Sequence, residues 1–425
     1  MALSSRKKLL LGLISSPWWL IGSLPHLDFA YGRAYGSPDY AALLSLTRAS
    51  ASYTDDLGGN WSSDASGLLR RRDRGLKLEQ ATTNSVRNNS MQGAAAGTPG
   101  TLPTNWIAGL AGLSQQIVGT GTDAGIDYID MRFFGTTNAT EVAIQCETST
   151  QIVVASGQTW TGSLFVKLVG GSLTNITATR CRLREADGVG SVLRADYGTS
   201  ITPNSSWQRV TATATMAAST LRLNNGPALA VNNAAAVDVT LRFGWPQLEQ
   251  LAVPTSPIRT TNAAISRSAD DVTIPRAEGM VSLAQGSAFV DCEDVLGASG
   301  TLRYLWINRV DANNYLALYI GTDNKVHFIV VNGGVTQCDL VSTNAVTSSS
   351  RFKAAVRWSA NDFALRVTSA LGSPANDNSG TLPTGTPVFS VGQDGANANY
   401  LNGFLRQLAL FLTPQNDNRL AAMVA

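Results

Sequence analysis

Residues able to make or break covalent bonds are few in this chain of 425 residues, and they are poorly placed to work together. The chain has two histidines, His26 and His327, and no GxSxG segment. Nucleophilic chemistry of the serine–histidine kind needs an imidazole held by an acid and within reach of a hydroxyl. His26 follows an apolar stretch and His327 stands inside an alternating strand pattern, so neither has an evident orienting acid. Glycoside hydrolysis needs two carboxylates facing one cleft, roughly 5–10 Å apart. Asp127 and Asp130, three apart in a strand, point to opposite faces. Glu185 and Asp187 would share a face, but "READGVG" has turn composition and reads as loop carboxylates. The chain is expected not to be an enzyme.

Residues able to bind without reacting are better supplied. Sugar sites combine an aromatic surface with Asn, Asp or Arg side chains for hydroxyls. The loop "GQDGANANYLNG" offers Asp394, Asn397, Asn399 and Tyr400, and "DANNY" adds Asn313, Asn314 and Tyr315. These seven are the candidate carbohydrate contacts, although Asn-rich loops are also simply turns. Four cysteines, Cys146, Cys181, Cys292 and Cys338, show no CxxC spacing, which excludes the usual zinc arrangement. Cys146 could pair with Cys181 and Cys292 with Cys338; four small apolar strand residues is the plainer reading. No cofactor is expected.

The elements that must hold these loops are strands. "YIDMRFFGTT", "SLFVKLVGG", "WQRVTATATM", "VDVTLRFGWPQLEQ", "LRYLWINRV" and "FKAAVRWSANDFALRV" are β-branched or aromatic runs broken by Gly, Asn, Ser and Pro. That is the pattern of antiparallel sandwiches. In "WQRVTATATM", period two puts Trp207, Arg209, Thr211 and Thr213 on one face and Val210 and Ala212 on the other. Trp160, Trp207 and Trp245 are expected in or at the edge of one core, and Trp306 and Trp358 inside a second. Asp/Asn turns at 311–314, 322–325 and 361–362 mark hairpins, and Asp417 to Val424 forms a short helix or a strand remnant. With a net charge of +2, and one dense basic run of Arg70, Arg71, Arg72 and Arg74 that reads as a solvated turn, nucleic acid is not an expected partner.

The reading is an all-β chain of tandem antiparallel β-sandwiches behind an N-terminal apolar anchor. Residues 1–26 are the anchor: Arg6, Lys7 and Lys8 precede Leu9, Leu10 and Leu11, and Trp18, Trp19 and Leu20 follow Pro17. A signal-like segment is the alternative. Residues 27–106 form a small polar module ending in the Pro/Gly-rich stretch Met91 to Trp106. Residues 107–255 are a jelly roll, 256–279 a linker opened by "PTSPIRTT", and 280–425 a second sandwich.

"SLTRASASYTDDLG" followed by "RGLKLEQATTNSVRNN" resembles the N-terminal module of bacteriophage and gene-transfer-agent head-spike or tail-fibre proteins. The matching positions are Thr47, Arg48, Ala49, Ser50, Gly75, Leu76, Glu79, Ala81, Thr82 and Asn84; Gln80 departs, standing where the family has an acid. The middle region is similar to that family's carbohydrate-binding-like jelly roll, through "WPQLEQ…PTSPIRTT". The last region is similar to a concanavalin-A-like (laminin-G-like) sandwich, through "RVDANNYLALYIGTDNKVHFIVVNGGVTQ". The resemblance implies a homotrimeric virion-surface spike or fibre that adheres to host surface polysaccharide and is seated on capsid, collar or tail proteins. It also makes calcium conceivable at Asp311, Asp323, Asp339 and Asp394, with ordinary Asp turns favoured. Rival readings are a collar or decoration protein without ligand, and a capsule or lipopolysaccharide depolymerase.

Overall fold

The computed structural model describes residues 26–35, 43–274, 281–297, 300–348 and 350–425. The anchor residues Leu9, Leu10, Leu11, Trp18, Trp19 and Leu20 lie outside the described residues. Among those described are thirty strands, one single-turn 3-10 helix and one α-helix, so the all-β expectation holds. The strands fall into two compact units. A C-terminal unit takes the described residues up to Arg48, Gly67–Gln80 and Ala269–Ala425; a middle unit takes Ala49–Ser66 and Ala81–Ser268.

The middle unit is a sandwich of two antiparallel sheets. One has the order Ser114–Asp123, Ile126–Thr136, Ala236–Glu249, Thr159–Ser172, Gln208–Thr215. The other runs Val192–Tyr197, Ile176–Ala186, Arg222–Val231, Glu141–Gln145, Ile107–Gly109. Alternation makes the core: Ile129, Met131 and Phe133 stand opposite Phe243, Leu241 and Val239, all buried. Val210 and Ala212 point inward as the period-two pattern requires. Each buried side chain of this size contributes about 1.5–3 kcal/mol. Cys146 and Cys181 are free thiols in this core, not a disulfide.

The C-terminal unit is also a sandwich. Its seven-stranded sheet has the order Val335–Val341, Val326–Asn332, Asn314–Ile320, Arg303–Asp311, Val388–Val391, Asp271–Ile274, Ser45–Thr47. Its other sheet centres on Gly403–Phe411, Gln285–Glu293 and Phe352–Ser359, with His26–Asp28 and Gly75–Leu78 both pairing to Gly403–Phe411. Trp306 lies stacked on Phe389 at 5.4 Å and tilted against Trp358 at 6.1 Å, in the core as expected. Cys292 and Cys338 are free and buried there. Asn324 and Asn361 take left-handed backbone angles in the turns, a conformation Asn tolerates. The helix is Asp417–Val424, its N-terminus capped by Asn416, whose side chain accepts from the Arg419 amide at 2.9 Å. Leu420 and Met423 pack on Phe289 and Phe411 where Ala355, Ala364 and Ala409 leave room.

Two domain boundaries differ from expectation. Residues 27–106 form no module of their own but are divided between the units. Strands Ser45–Thr47 and Gly75–Leu78 complete the C-terminal sandwich, while Ser52–Asp55, Trp61–Asp64 and Thr82–Asn84 belong to the middle one. The described part of the expected linker 256–279, residues 256–274, is not a linker either. Ile265–Arg267 pairs with Thr82–Asn84, and Asp271–Ile274 enters the seven-stranded sheet with Val272 and Ile274 buried. The cause is length: two- to four-residue strands carry too short a pattern to announce themselves, yet beside an existing sheet Leu76, Leu78, Val272 and Ile274 become buried.

Candidate functional site

The most concentrated aromatic chemistry outside the two main cores lies in the middle unit. In the five-stranded sheet, Ala236–Glu249 carries a bulge opposite Thr159–Ser172: Phe165 pairs with Gly244 while Ser163 pairs with Gln247. Trp245 sits in that irregularity with φ +40°, a value rare for a residue with a side chain. Simple alternation would place Trp245 beside Phe243 in the core; the bulge delivers its indole instead to a separate cluster with Phe165 and Ile126.

The cluster is completed by the hairpin Ser52–Asp55 and Trp61–Asp64. The Tyr53 ring meets Trp245 edge-on at 4.9 Å, and Trp61 meets Phe165 at 5.8 Å and Trp245 at 6.2 Å. Trp207 approaches Phe165 at 6.3 Å. These edge-to-face contacts are the favoured geometry for aromatic quadrupoles. Trp245 is fully buried at the base, whereas Tyr53, Trp61 and Trp207 keep part of their surface in water. The hairpin is tied down by the Trp61 amide, which donates to the Ala124 carbonyl at 2.8 Å. Gly125 permits it: at φ +81°, a Cβ there would lie 1.9 Å from the Trp61 carbonyl oxygen.

Charge surrounds the rings. Arg242 donates to both oxygens of Asp130, at 2.8 and 2.9 Å, and to Asp123 at 2.8 Å, and lies over the Tyr128 ring at 3.5 Å. Lys167 donates to Asp123 at 2.7 Å and lies 5.6 Å from the centre of the Trp207 ring. Hydrogen bonding from Lys167, and then from Arg242, holds the Asp123 carboxyl below the ordinary range. Burial pushes the Tyr53 phenol up. Beside Tyr53 opens a cleft of about 280 Å³, bordered by Ser50, Ser52, Arg259, Ser266 and Arg267 with apolar Pro257, Ile258 and Ile265.

The seven loop residues expected to hold sugar lie in the C-terminal unit. Asp311 accepts from the Asn313 amide at 2.7 Å and the Asn314 side chain at 3.0 Å, and the Asn314 side-chain Oδ1 accepts from the Gly333 amide at 2.9 Å. Asp394 accepts from Ala396 and Ala398 amides and from the Asn399 side chain at 2.8 Å. Asn397 and Asn399 have left-handed backbone, and Tyr400 is buried, its phenol pushed up to about 12. Arg309 joins the two loops: it is the cross-strand partner of Tyr315 and donates to the Asp394 carbonyl at 3.3 Å.

The carboxylate pairs have other partners. Asp127 accepts from Thr122 and Arg259, and Asp130 from Arg242. Asp187 caps its own turn through the Val189 and Ser191 amides. Glu185 is not a loop carboxylate but fully buried, holding Thr220, the Ala217 amide and Arg194. His327 does have orienting acids: Nδ1 lies 3.2 Å from Asp339 and Nε2 3.1 Å from Asp323, with its ring stacked on Tyr319 at 5.0 Å. Sequence could not bring together groups from two adjacent strands and a turn. The basic run is likewise absorbed, with Arg70 buried against Glu79 and Asp270 and Arg74 paired to Glu293 and Asp294. The calcium candidates do not fit a hard cation: Asp311 and Asp394 cap turns and Asp323 and Asp339 flank an imidazole. Among the described residues no group of three or more His, Cys, Asp or Glu side chains is placed to hold a metal ion.

No family model matches the chain, and no curated protein matches it. Among solved structures, the CBM40 of the Ruminococcus gnavus IT-sialidase bound to α2,3-sialyllactose aligns at TM-score 0.30 and 16% identity, over 34% of this chain and 84% of that one. The CBM22 tandem of Paenibacillus barcinonensis Xyn10C aligns at 0.26 and 10%, over 76% and 99%. Mouse laminin α1 domains LG4-5 align at 0.23 and 11%, over 68% and 90%. Likenesses at this level fix neither a family nor a ligand.

Proposed function

We propose that this protein is a non-catalytic glycan-binding protein, and that its middle unit holds the sugar at the half-exposed rings of Tyr53, Trp61 and Trp207. The observation that carries the reading is the bulge at Trp245. It turns a large indole away from the main core to support a second aromatic layer that remains partly in water. A pyranose has an apolar face that such rings can cover, and hydroxyls that the neighbouring Arg209, Lys167 and Arg259 can meet. With the carboxylates of the expected acid pairs held by arginines, hydroxyls and amides, binding without bond cleavage suits the site better than hydrolysis.

The reading extends to a spike or fibre on a virion surface that adheres to host polysaccharide. That extension is supported by the resemblance of the Thr47–Ser50 and Gly75–Asn84 blocks to phage spike and fibre modules, and it includes capsid, collar or tail partners and a homotrimer. Single sugar contacts are weak, so clustered copies would supply the holding strength.

A glycan array probed with the full chain and with Trp61→Ala tests the binding. Retention of a set of polysaccharides by the parent chain, lost in Trp61→Ala, is the expected result. No retention at high valency leaves the structural collar or decoration reading, and release of new reducing ends from capsule or lipopolysaccharide supports the depolymerase.

A further inference from the structure

The cleft beside Tyr53 has two features that plain stacking does not require. The first is Ser52. It is 3% exposed, stands on the strand that carries Tyr53, and borders the cleft, yet its hydroxyl has no partner among the described residues. Burying a hydroxyl without a hydrogen bond is costly, so this atom is prepared for a partner the protein does not supply. The neighbouring hydroxyls of Ser50 and Ser266 are already used, by the Ser268 amide at 2.8 Å and by Thr83 at 2.7 Å.

The second feature is Arg259. Its Nε donates to Asp127 at 2.6 Å, and Asp127 is itself held by Thr122 at 3.0 Å. That contact fixes the plane of the guanidinium. Among the described residues, Nε is the one nitrogen of this side chain with a partner, so both Nη groups stand open at the cleft. A guanidinium held from one edge presents its other donors as a rigid fork, which matches the two oxygens of a carboxylate.

We propose that this cleft selects sugars bearing a carboxylate, such as uronic or nonulosonic acids. The acid group docks on the Nη fork of Arg259, a sugar hydroxyl meets Ser52, and the Tyr53 ring covers the apolar face. This rests on the reading of the middle unit as a glycan-binding unit, and it adds the chemical class of the sugar. A cleft of about 280 Å³ accommodates one residue of a chain and leaves its neighbours to the partly buried rings of Trp61 and Trp207.

The test is calorimetric titration of the full chain with acid and methyl-ester pairs: tetragalacturonate, a glucuronate tetrasaccharide and sialyllactose, each beside its own ester. Esterification removes the charge and keeps the rest of the sugar. At least one acid is expected to bind at least about ten-fold more tightly than its ester, the scale of a charge-assisted pair. Arg259→Gln should erase that difference by removing the extra affinity of the acid, and Ser52→Ala should weaken acid and ester alike, by about five-fold. Equal affinity for acid and ester throughout overturns the acidic selectivity and leaves glycan binding standing. Failure of every acid and ester to bind overturns both. A preference that survives in Arg259→Gln overturns the assignment of the fork.

Discussion

Arg70 and Asp270 are 200 residues apart in the chain and 2.9 Å apart in the C-terminal unit, with both side chains closed to solvent. Asp270 also takes Arg48 at 2.8 Å and the Glu79 amide at 3.0 Å, and Arg70 takes Glu79 at 2.7 Å. Two guanidiniums thus share one carboxylate where water cannot reach them. Asp270→Ala takes away the carboxylate that both guanidiniums share, and breaking a buried pair in this way costs about 3–5 kcal/mol. Denaturant unfolding followed by the core tryptophans of the C-terminal unit should show that loss; a shift below about 1 kcal/mol would mean that water or another acid replaces Asp270.

Trp306 gives a second measure of the same unit. Its ring touches Phe389, Trp358 and Phe328, none of which can close over the space it fills. Trp306→Ala is expected to destabilise by about 3–5 kcal/mol, and Trp306→Phe by distinctly less. Equal effects would contradict a tightly filled centre.

Protons act on this unit in opposing directions. Burial works against a charged His327, but Asp339 and Asp323 outweigh it and raise its pKa above 6.5. Stability from this group is therefore fully present below about pH 6.5 and is lost as pH rises through the folded value. Burial lowers His26 to about 4, so its contribution is present above pH 6.5 and lost as pH falls toward 4. The two act in separate windows, His327 above pH 6.5 and His26 below it. His327→Gln should abolish the fall in melting temperature that the parent shows as pH rises above 6.5, while both proteins lose stability in parallel below pH 6.5. Parallel curves above pH 6.5 as well would remove His327 from the account.

Gly125 offers a selective way to disturb the aromatic layer. Adding a methyl group there forces the Trp61 carbonyl away and strains a left-handed backbone, at about 1–3 kcal/mol. Gly125→Ala should red-shift tryptophan emission and abolish glycan retention while the middle unit's main core stays folded. Unchanged binding would show that the hairpin position is not needed.

The strands were readable because period two is written into residues such as Ile129, Met131 and Phe133, and Val210 with Ala212. The short strands were not, since Ser45–Thr47 or Asp271–Ile274 gains meaning only beside a sheet made elsewhere. The aromatic site draws residues from five separate stretches, and its base depends on a bulge that reverses the face of Trp245. The Asn and Asp residues of the C-terminal loops were read for both of their chemistries, and the structure shows the turn-closing one. The fairly specific blocks found in sequence turn out to encode buried polar networks. Arg48 and Glu79 sit in the ion cluster. Asn84 accepts from the Val86 and Leu248 amides and donates to the Pro246 and Ile258 carbonyls, and Glu249 holds Thr255. Such networks tolerate few substitutions, because every donor must meet its acceptor.

The pairing of His26–Asp28 with Gly403–Phe411 sets an order on biosynthesis. The Asp28 side chain, which accepts locally from the Tyr31 amide at 3.1 Å, receives its bond from Gln407 at 3.0 Å only after a further 379 residues. At bacterial or eukaryotic elongation rates that is roughly 20 to 75 seconds on the ribosome. The middle unit has all its strands once Ser268 has emerged, so it can close while the first strands of the other unit are still unpaired. Those early strands must then be kept from foreign partners until the last segment of the chain arrives to receive them.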